Sequence, residues 1–210
     1  TALERRQHIL SEFGKKNVDF DFFDALTPEP AAIFAQALHL NIDEQVLTKG
    51  EVACFMSHAY LWKKMVDDNT PYMAIFEDDI YLGEDVTEFL SDSQWIDPSW
   101  HLIKLEEFTH RIALGKKVKA FNDHNNRAIF QLKSKNLGTA GYILSLDGAK
   151  TLLGYIQTLD KLIALDHLMF ESVITDNIFS VYQMKPALCI QDVTLYSCKD
   201  SVKFEKKKIQ

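Results

Sequence analysis

The chain has 210 residues, 47% of them hydrophobic and 25% charged, which is enough for one α/β domain with a sizeable core. A formal net charge of −7 argues against a general nucleic-acid binder, which carries a basic surface or stripe, but is compatible with an anionic ligand bridged by a metal. No apolar run approaches the roughly 18 residues of a membrane span and no signal-peptide pattern opens the sequence, so the expected location is the cytoplasm.

Leu3 to Phe13 reads as a helix closed by Gly14, and Val18 to Phe23 as a strand in which apolar and acidic residues alternate. Ala25 to Pro30 is expected to be a loop, because each proline disfavours helix at the residue before it. A short helix falls between Ala31 and Gln45. Lys49-Gly50-Glu51 opens a longer helix, Val52 to Val66, whose Cys54, Phe55, Ala59, Trp62 and Val66 recur at spacings near three and four and mark a buried face. Cys54, Cys189 and Cys198 are odd in number and widely spaced, which suggests neither a disulfide framework nor a structural zinc site. Cys54 reads as core rather than nucleophile.

Tyr72-Met73-Ala74-Ile75-Phe76 has the neutral, mostly apolar character of a buried strand, and it ends abruptly in Glu77-Asp78-Asp79. A buried strand end does not tolerate three carboxylates unless solvent or a cation meets them, so the acids mark the mouth of a site. Hard divalent cations take oxygen ligands, usually one or two carboxylates with substrate phosphates in the remaining positions, which suits Mg²⁺ or Mn²⁺ and, through it, a diphosphate. The plainer reading is a solvated turn.

Beyond the acids, Glu84 to Leu90 reads as a short helix and His101 to Leu105 as a strand. Ile112 to Ala120 and Ala128 to Leu132 form a predicted hairpin, a modest insertion over the core. Gly138 to Ser145 combines small residues with a strand, and Asp147-Gly148-Ala149-Lys150 starts a helix. Leu165 to Ile174 is a further helix entered through Asp166, and Ser180 to Gln183 a last short strand. Strands alternating with helices predict a three-layer α/β sandwich, in which ligands bind at the carboxyl ends of strands. Glu77, Asp78 and Asp79 sit at one such end, and Glu106 and Glu107 at another. No internal repeat is visible.

Several segments together resemble the bacterial lipooligosaccharide glycosyltransferases of glycosyltransferase family 25, especially its galactosyltransferases. They are Arg5-Arg6-Gln7-His8-Ile9, Phe22-Phe23-Asp24-Ala25-Leu26, Ala53-Cys54-Phe55-Met56-Ser57-His58-Ala59 with Leu61-Trp62, and Phe76-Glu77-Asp78-Asp79. The match continues through Gly138-Thr139-Ala140-Gly141-Tyr142-Ile143, Leu165-Asp166-His167-Leu168-Met169-Phe170 and Pro186-Ala187-Leu188-Cys189-Ile190-Gln191. The resemblance implies a GT-A type fold with a mixed central sheet, a nucleotide-sugar donor (usually UDP-galactose), and transfer with inversion to a growing saccharide on a lipid. The family pattern also places a short strand with a Val-Ile-Ser-Leu-like run before the Arg5-Arg6 helix. This sequence opens at the helix, so the expected sheet lacks that first strand.

Displacing a nucleoside diphosphate builds charge on the leaving group, and a divalent metal stabilises it. By resemblance that metal falls to Asp79, with Asp78 next and Glu77 orienting them. Inversion in one step needs a group on the opposite face of the sugar to take the acceptor proton. The family match puts Asp166 first and Glu106 second for this role; the plainer readings are an N-cap and a surface charge. Gly138, Thr139, Ala140 and Gly141 fit backbone contact with the donor, or else a tight bend. Arg5 and Arg6 suit a diphosphate or are simply exposed. Gln191 or Asp192 is a candidate distant metal ligand, Ser57 and His58 are expected to pack, and the tail 199–210, with five lysines, to be solvated or to touch anionic lipid at the inner membrane. Two other readings stay open: a catalytically silent nucleotide- or saccharide-binding module of the same fold, and, last, a metal-dependent phosphohydrolase.

Overall fold

Alternation of apolar residues along short central strands decides the architecture. A computed structural model describes residues 2–107 and 110–192. Helices α1 (Ala2–Lys15), α2 (Pro28–Ala37) and α3 (Lys49–Asp67) precede β1 (Tyr72–Phe76), β2 (Ile80–Leu82), α4 (Val86–Leu90), β3 (Leu102–Lys104) and β4 (Glu106–Glu107). The hairpin strands β5 (Leu114–Phe121) and β6 (Arg127–Leu132) follow, then β7 (Gly141–Ser145), α5 (Leu146–Gln157) and α6 (Leu165–His167). A π-helical turn (Leu168–Ser172), α7 (Val173–Thr175), β8 (Val181–Lys185) and β9 (Cys189–Gln191) complete the described chain.

Six strands form the main sheet in the order β1-β7-β3-β8-β6-β5, with β3 and β8 parallel and the other neighbours antiparallel. A small sheet, β2-β9-β4, stands beside it. Tyr142, Leu144, Leu102 and Val181 point into one core with α2, α3, α5 and the helical segment 165–175, whereas Ile143, Ile103 and Tyr182 point into a second core with α1 and α4. The main sheet is thus covered on both faces, because successive strand side chains alternate. The directions of β1, β3 and β8 agree, so their carboxyl ends lie along one edge of the sheet, together with the amino end of β7.

Several expectations need correction. Val18 to Phe23 is no strand and pairs with none among the described residues; its alternation sets Val18 and Phe20 against the second core. Pro28 and Pro30 stand inside the first turn of α2 rather than in a loop, where the missing N–H has no intrahelical partner to lose. The predicted hairpin does not lie over the core: β6 pairs with β8, so the hairpin extends the main sheet. Strand β1 is not a buried centre but an edge, with only Ile75 buried. Strands β2, β4 and β9 are two or three residues long, too short for a period to register. Cys198 and the tail 199–210 lie outside the described residues.

Helix α3 starts at a reciprocal cap: the Glu51 N–H donates to Thr48 Oγ1 at 3.2 Å, and the Thr48 N–H to Glu51 Oε2 at 2.9 Å. Its buried face carries a polar group into the core. Tyr142 Oη stands 2.7 Å from His58 Nδ1 and accepts from Trp62 Nε1 at 3.1 Å. The phenol has one proton, so it donates to a neutral His58 Nδ1. Burial pushes His58 down to about 4, from an ordinary 6.5. The unfolded chain therefore takes up a proton near pH 6.5 that the folded one refuses until about 4, and this contribution to stability is lost as pH falls through that window. Glu77, raised to about 7, runs in the opposite sense. The comparison with His58→Asn isolates the histidine: going from pH 7.5 to 5, wild type should lose about 2 kcal/mol relative to the variant in urea unfolding.

Candidate active site

The acids sit where β1 leaves the main sheet for the small one. Glu77 continues the β1–β7 pairing, its N–H donating to the Ala140 carbonyl at 3.0 Å. Its carboxylate accepts from Thr139 Oγ1 at 2.7 Å and from Gln191 Nε2 at 3.3 Å. Gln191 also reaches both Asp79 oxygens at 3.2 Å, because the antiparallel register sets it opposite Ile80, next along from Asp79. The Asp192 N–H closes the turn on the Asp79 carbonyl at 2.7 Å. Asp78 is exposed and pairs with Arg5 Nη1 at 2.9 Å. Helix α1 delivers that arginine by clasping β2: Glu12 accepts from the Leu82 N–H at 3.0 Å, and His8 Nε2 meets the Ile80 carbonyl at 2.7 Å.

Removal from water pushes Glu77 up to about 7, with Asp79, Glu106 and Asp78 adding repulsion against the Thr139 hydrogen bond. Asp79 is raised for the same first reason, although Gln191 and Arg5 pull it back. Crowded carboxylates held above their ordinary range are what a cation relieves. Among the described residues no three His, Cys, Asp or Glu side chains converge as a cage. A phosphate-bridging Mg²⁺ or Mn²⁺ needs only one or two carboxylates, however, so the oxygen donors here fit that ion.

Glu106 lies in a different place from the one expected. It is fully buried, not a surface charge, and is closed off from solvent. Lys104, equally buried, pairs with its Oε2 at 3.1 Å, and the Ala140 N–H donates to the same oxygen at 3.1 Å. Burial raises the carboxyl and lowers the ammonium, and each draws the other back. Sequence reasoning missed Lys104; the available signal was a lysine inside an otherwise apolar strand, two residues before an acid.

The glycines answer to packing. Gly138 has φ +99°, and a Cβ there would stand 2.7 Å from both Glu106 oxygens. At Gly141, opposite Phe76, a Cβ would stand 2.3 Å from Cys189 Sγ. Gly138→Ala should therefore cost about 2–5 kcal/mol, from backbone strain and overpacking together, read as a lowered urea midpoint. A midpoint unchanged from wild type would show that the bend relaxes freely.

Asp166 is no N-cap, since Ala164 holds that position; its Oδ1 accepts the His167 N–H at 2.9 Å. It is half-buried on the helical segment, and its charge acts on both Cys54 and Lys104. Burial, reinforced by Glu77 and Asp166, lifts the Cys54 thiol to about 12, which suits core packing and not nucleophilic attack. Arg6 turns away from the acids to pair with Asp24, its guanidinium 4.4 Å from the Phe22 ring centroid. Ser57 is internal, accepting the Leu26 N–H at 2.8 Å and donating to the Ala53 carbonyl at 2.7 Å. Among the described residues, no helix is long and apolar enough to cross a membrane.

A mixed α/β sheet covered on both faces, with acidic side chains gathered at its carboxyl edge, is compatible with a glycosyltransferase fold. The chain belongs to glycosyltransferase family 25 (LPS biosynthesis protein), whose model matches residues 1–169. It is 38% identical to the lipooligosaccharide biosynthesis protein lic2B of Haemophilus influenzae, over 93% of this chain and 74% of that protein. It is also similar to the lacto-N-neotetraose biosynthesis glycosyltransferases LgtE of Neisseria meningitidis serogroup B (36% identical; 92% of this chain, 71% of that one) and LgtB of Neisseria gonorrhoeae (37%; 92% and 72%). These likenesses support glycosyltransferase activity with a sugar donor and an oligosaccharide acceptor.

Proposed function

We propose that this protein moves a hexose, most favourably galactose, from a UDP-sugar to a lipooligosaccharide acceptor with inversion, on a GT-A type fold. The observation that carries the reading is the cluster of Glu77, Asp78, Asp79 and Gln191 at the carboxyl edge of the sheet, in a chain of this family. Asp79, with Asp78, would hold the Mg²⁺ or Mn²⁺ whose charge offsets that of the departing diphosphate. Gln191 and Thr139 orient the carboxylates, and Arg5 adds positive charge beside them. The acceptor oxygen bonds to the anomeric carbon, the bond from that carbon to the diphosphate oxygen breaks with its electron pair leaving on UDP, and the hydroxyl proton passes to Asp166. The full burial of Glu106 beneath Gly138 favours Asp166 over it for this role. A lipid-borne acceptor sets the work at the cytoplasmic face of the inner membrane.

The test is UDP release from UDP-galactose and from UDP-glucose, with and without Mn²⁺, in the presence of truncated lipooligosaccharide. Metal-dependent release, faster with UDP-galactose, is the expected result. Folded protein that binds UDP and Mn²⁺ but releases nothing with either donor would instead establish a silent binding module.

A further inference from the structure

We infer that Lys104 is a positioning residue that ties the donor side of the site, through the segment 137–140, to the helical segment that carries Asp166. An ammonium has three protons to donate. Here all three are spent on the carbonyl of Leu137 at 3.0 Å, the carbonyl of Gly138, and Glu106 Oε2 at 3.1 Å. Glu106 passes the constraint on to the Ala140 N–H. The segment so held presents the Thr139 hydroxyl to Glu77. On its other side the ammonium lies 4.1 Å from the centroid of the Phe170 ring, in the π-helical turn that begins two residues after Asp166. The Asn136 N–H, next to the held segment, donates to the Phe170 carbonyl at 3.3 Å, so a direct backbone bond adds to the link through Lys104. π-Helical turns recur at functional sites, and this one brings Phe170 onto Lys104.

A buried ion pair is a poor way to stabilise a core, since apolar side chains of similar volume serve as well or better. What Lys104 and Glu106 supply is direction: three ammonium donors and the single carboxylate oxygen Oε2 fix where Leu137, Gly138 and Ala140 stand. Both segments flank the place where donor and acceptor must be aligned, and a displacement of 1 Å in such machinery costs about 10²-fold in rate. The consequence for catalysis rests on the transferase reading above; the mechanical claim does not.

Two arms test it with the full chain. In amide hydrogen exchange, Lys104→Met should speed exchange about tenfold or more in 137–141 and in 165–172, leaving the α3 amides at their wild-type rates. Glu106→Gln, nearly isosteric and still able to accept from Ala140, should loosen 137–141 alone. In UDP release measured well below the unfolding midpoint, Lys104→Met should lower kcat by about 10²-fold with the donor KM changed by less than about threefold. A merely structural lysine gives the opposite pattern: a lower midpoint, exchange raised evenly over the sheet, and kcat unchanged. That pattern, or wild-type exchange in both variants, overturns the inference. Wild-type protein that releases no UDP would reject the transferase reading, while the exchange arm still decides the role of Lys104.

Discussion

Asp79→Asn should lower metal-dependent UDP release by about 10³-fold while leaving the protein at least as stable as wild type. The two halves of that expectation come from one fact. The Asp79 carboxylate is held above its ordinary range by burial, so its charged form is maintained against the folded state's preference. Neutralising it relieves that opposition, and the amide can still bond to Gln191. Under the proposed transferase reading, the metal that Asp79 would hold is what offsets this cost. Steady-state UDP release together with thermal unfolding of the same preparation measures both halves. Full activity of the variant would remove Asp79 from the metal, whereas collapse of the fold would make it a structural acid.

Asp166→Asn should lower transfer to the acceptor by about 10³-fold, with UDP and Mn²⁺ binding unchanged in titration calorimetry. The asparagine can still accept the His167 N–H, so the local helix geometry survives. What disappears is the ability to take a proton. Of the two carboxylates expected for this task, Asp166 is half-buried and Glu106 fully buried, which is why the proposed transfer is assigned to Asp166. Turnover within tenfold of wild type would place the proton elsewhere. Weakened UDP binding would move Asp166 to the donor side.

Much of the fold around the candidate site was legible along the chain because it follows local rules. An apolar run that stops at Glu77-Asp78-Asp79 announces a strand end whatever it packs against, and α3 announces its buried face through its spacing. The central strands β7 and β8 and helix α5 declared themselves in the same way. Val18 to Phe23 misled for an instructive reason: alternation reports which side chains are buried, while a strand also needs a neighbour with free N–H and C=O groups. The short strands β2, β4 and β9 carried no pattern at all, yet they decide where Gln191 goes.

The amino-acid sequence by itself determined the helices, the strand that delivers the acids, the motifs shared with family 25, and the set of carboxylates from which a site can be made. Only the tertiary structure decided which of those carboxylates are buried and which side chains partner them. Pairing of β2 with β9 brings Gln191 onto Asp79 across 112 residues of chain. Closure of the Gly138 bend turns Glu106 inward onto Lys104, and helix α1 sets Arg5, not Arg6, upon the acids. Local patterns record burial, which depends on a residue's immediate neighbours. Partnership between distant side chains depends on sheet register and on which face a turn presents, and both are settled only when the layers pack.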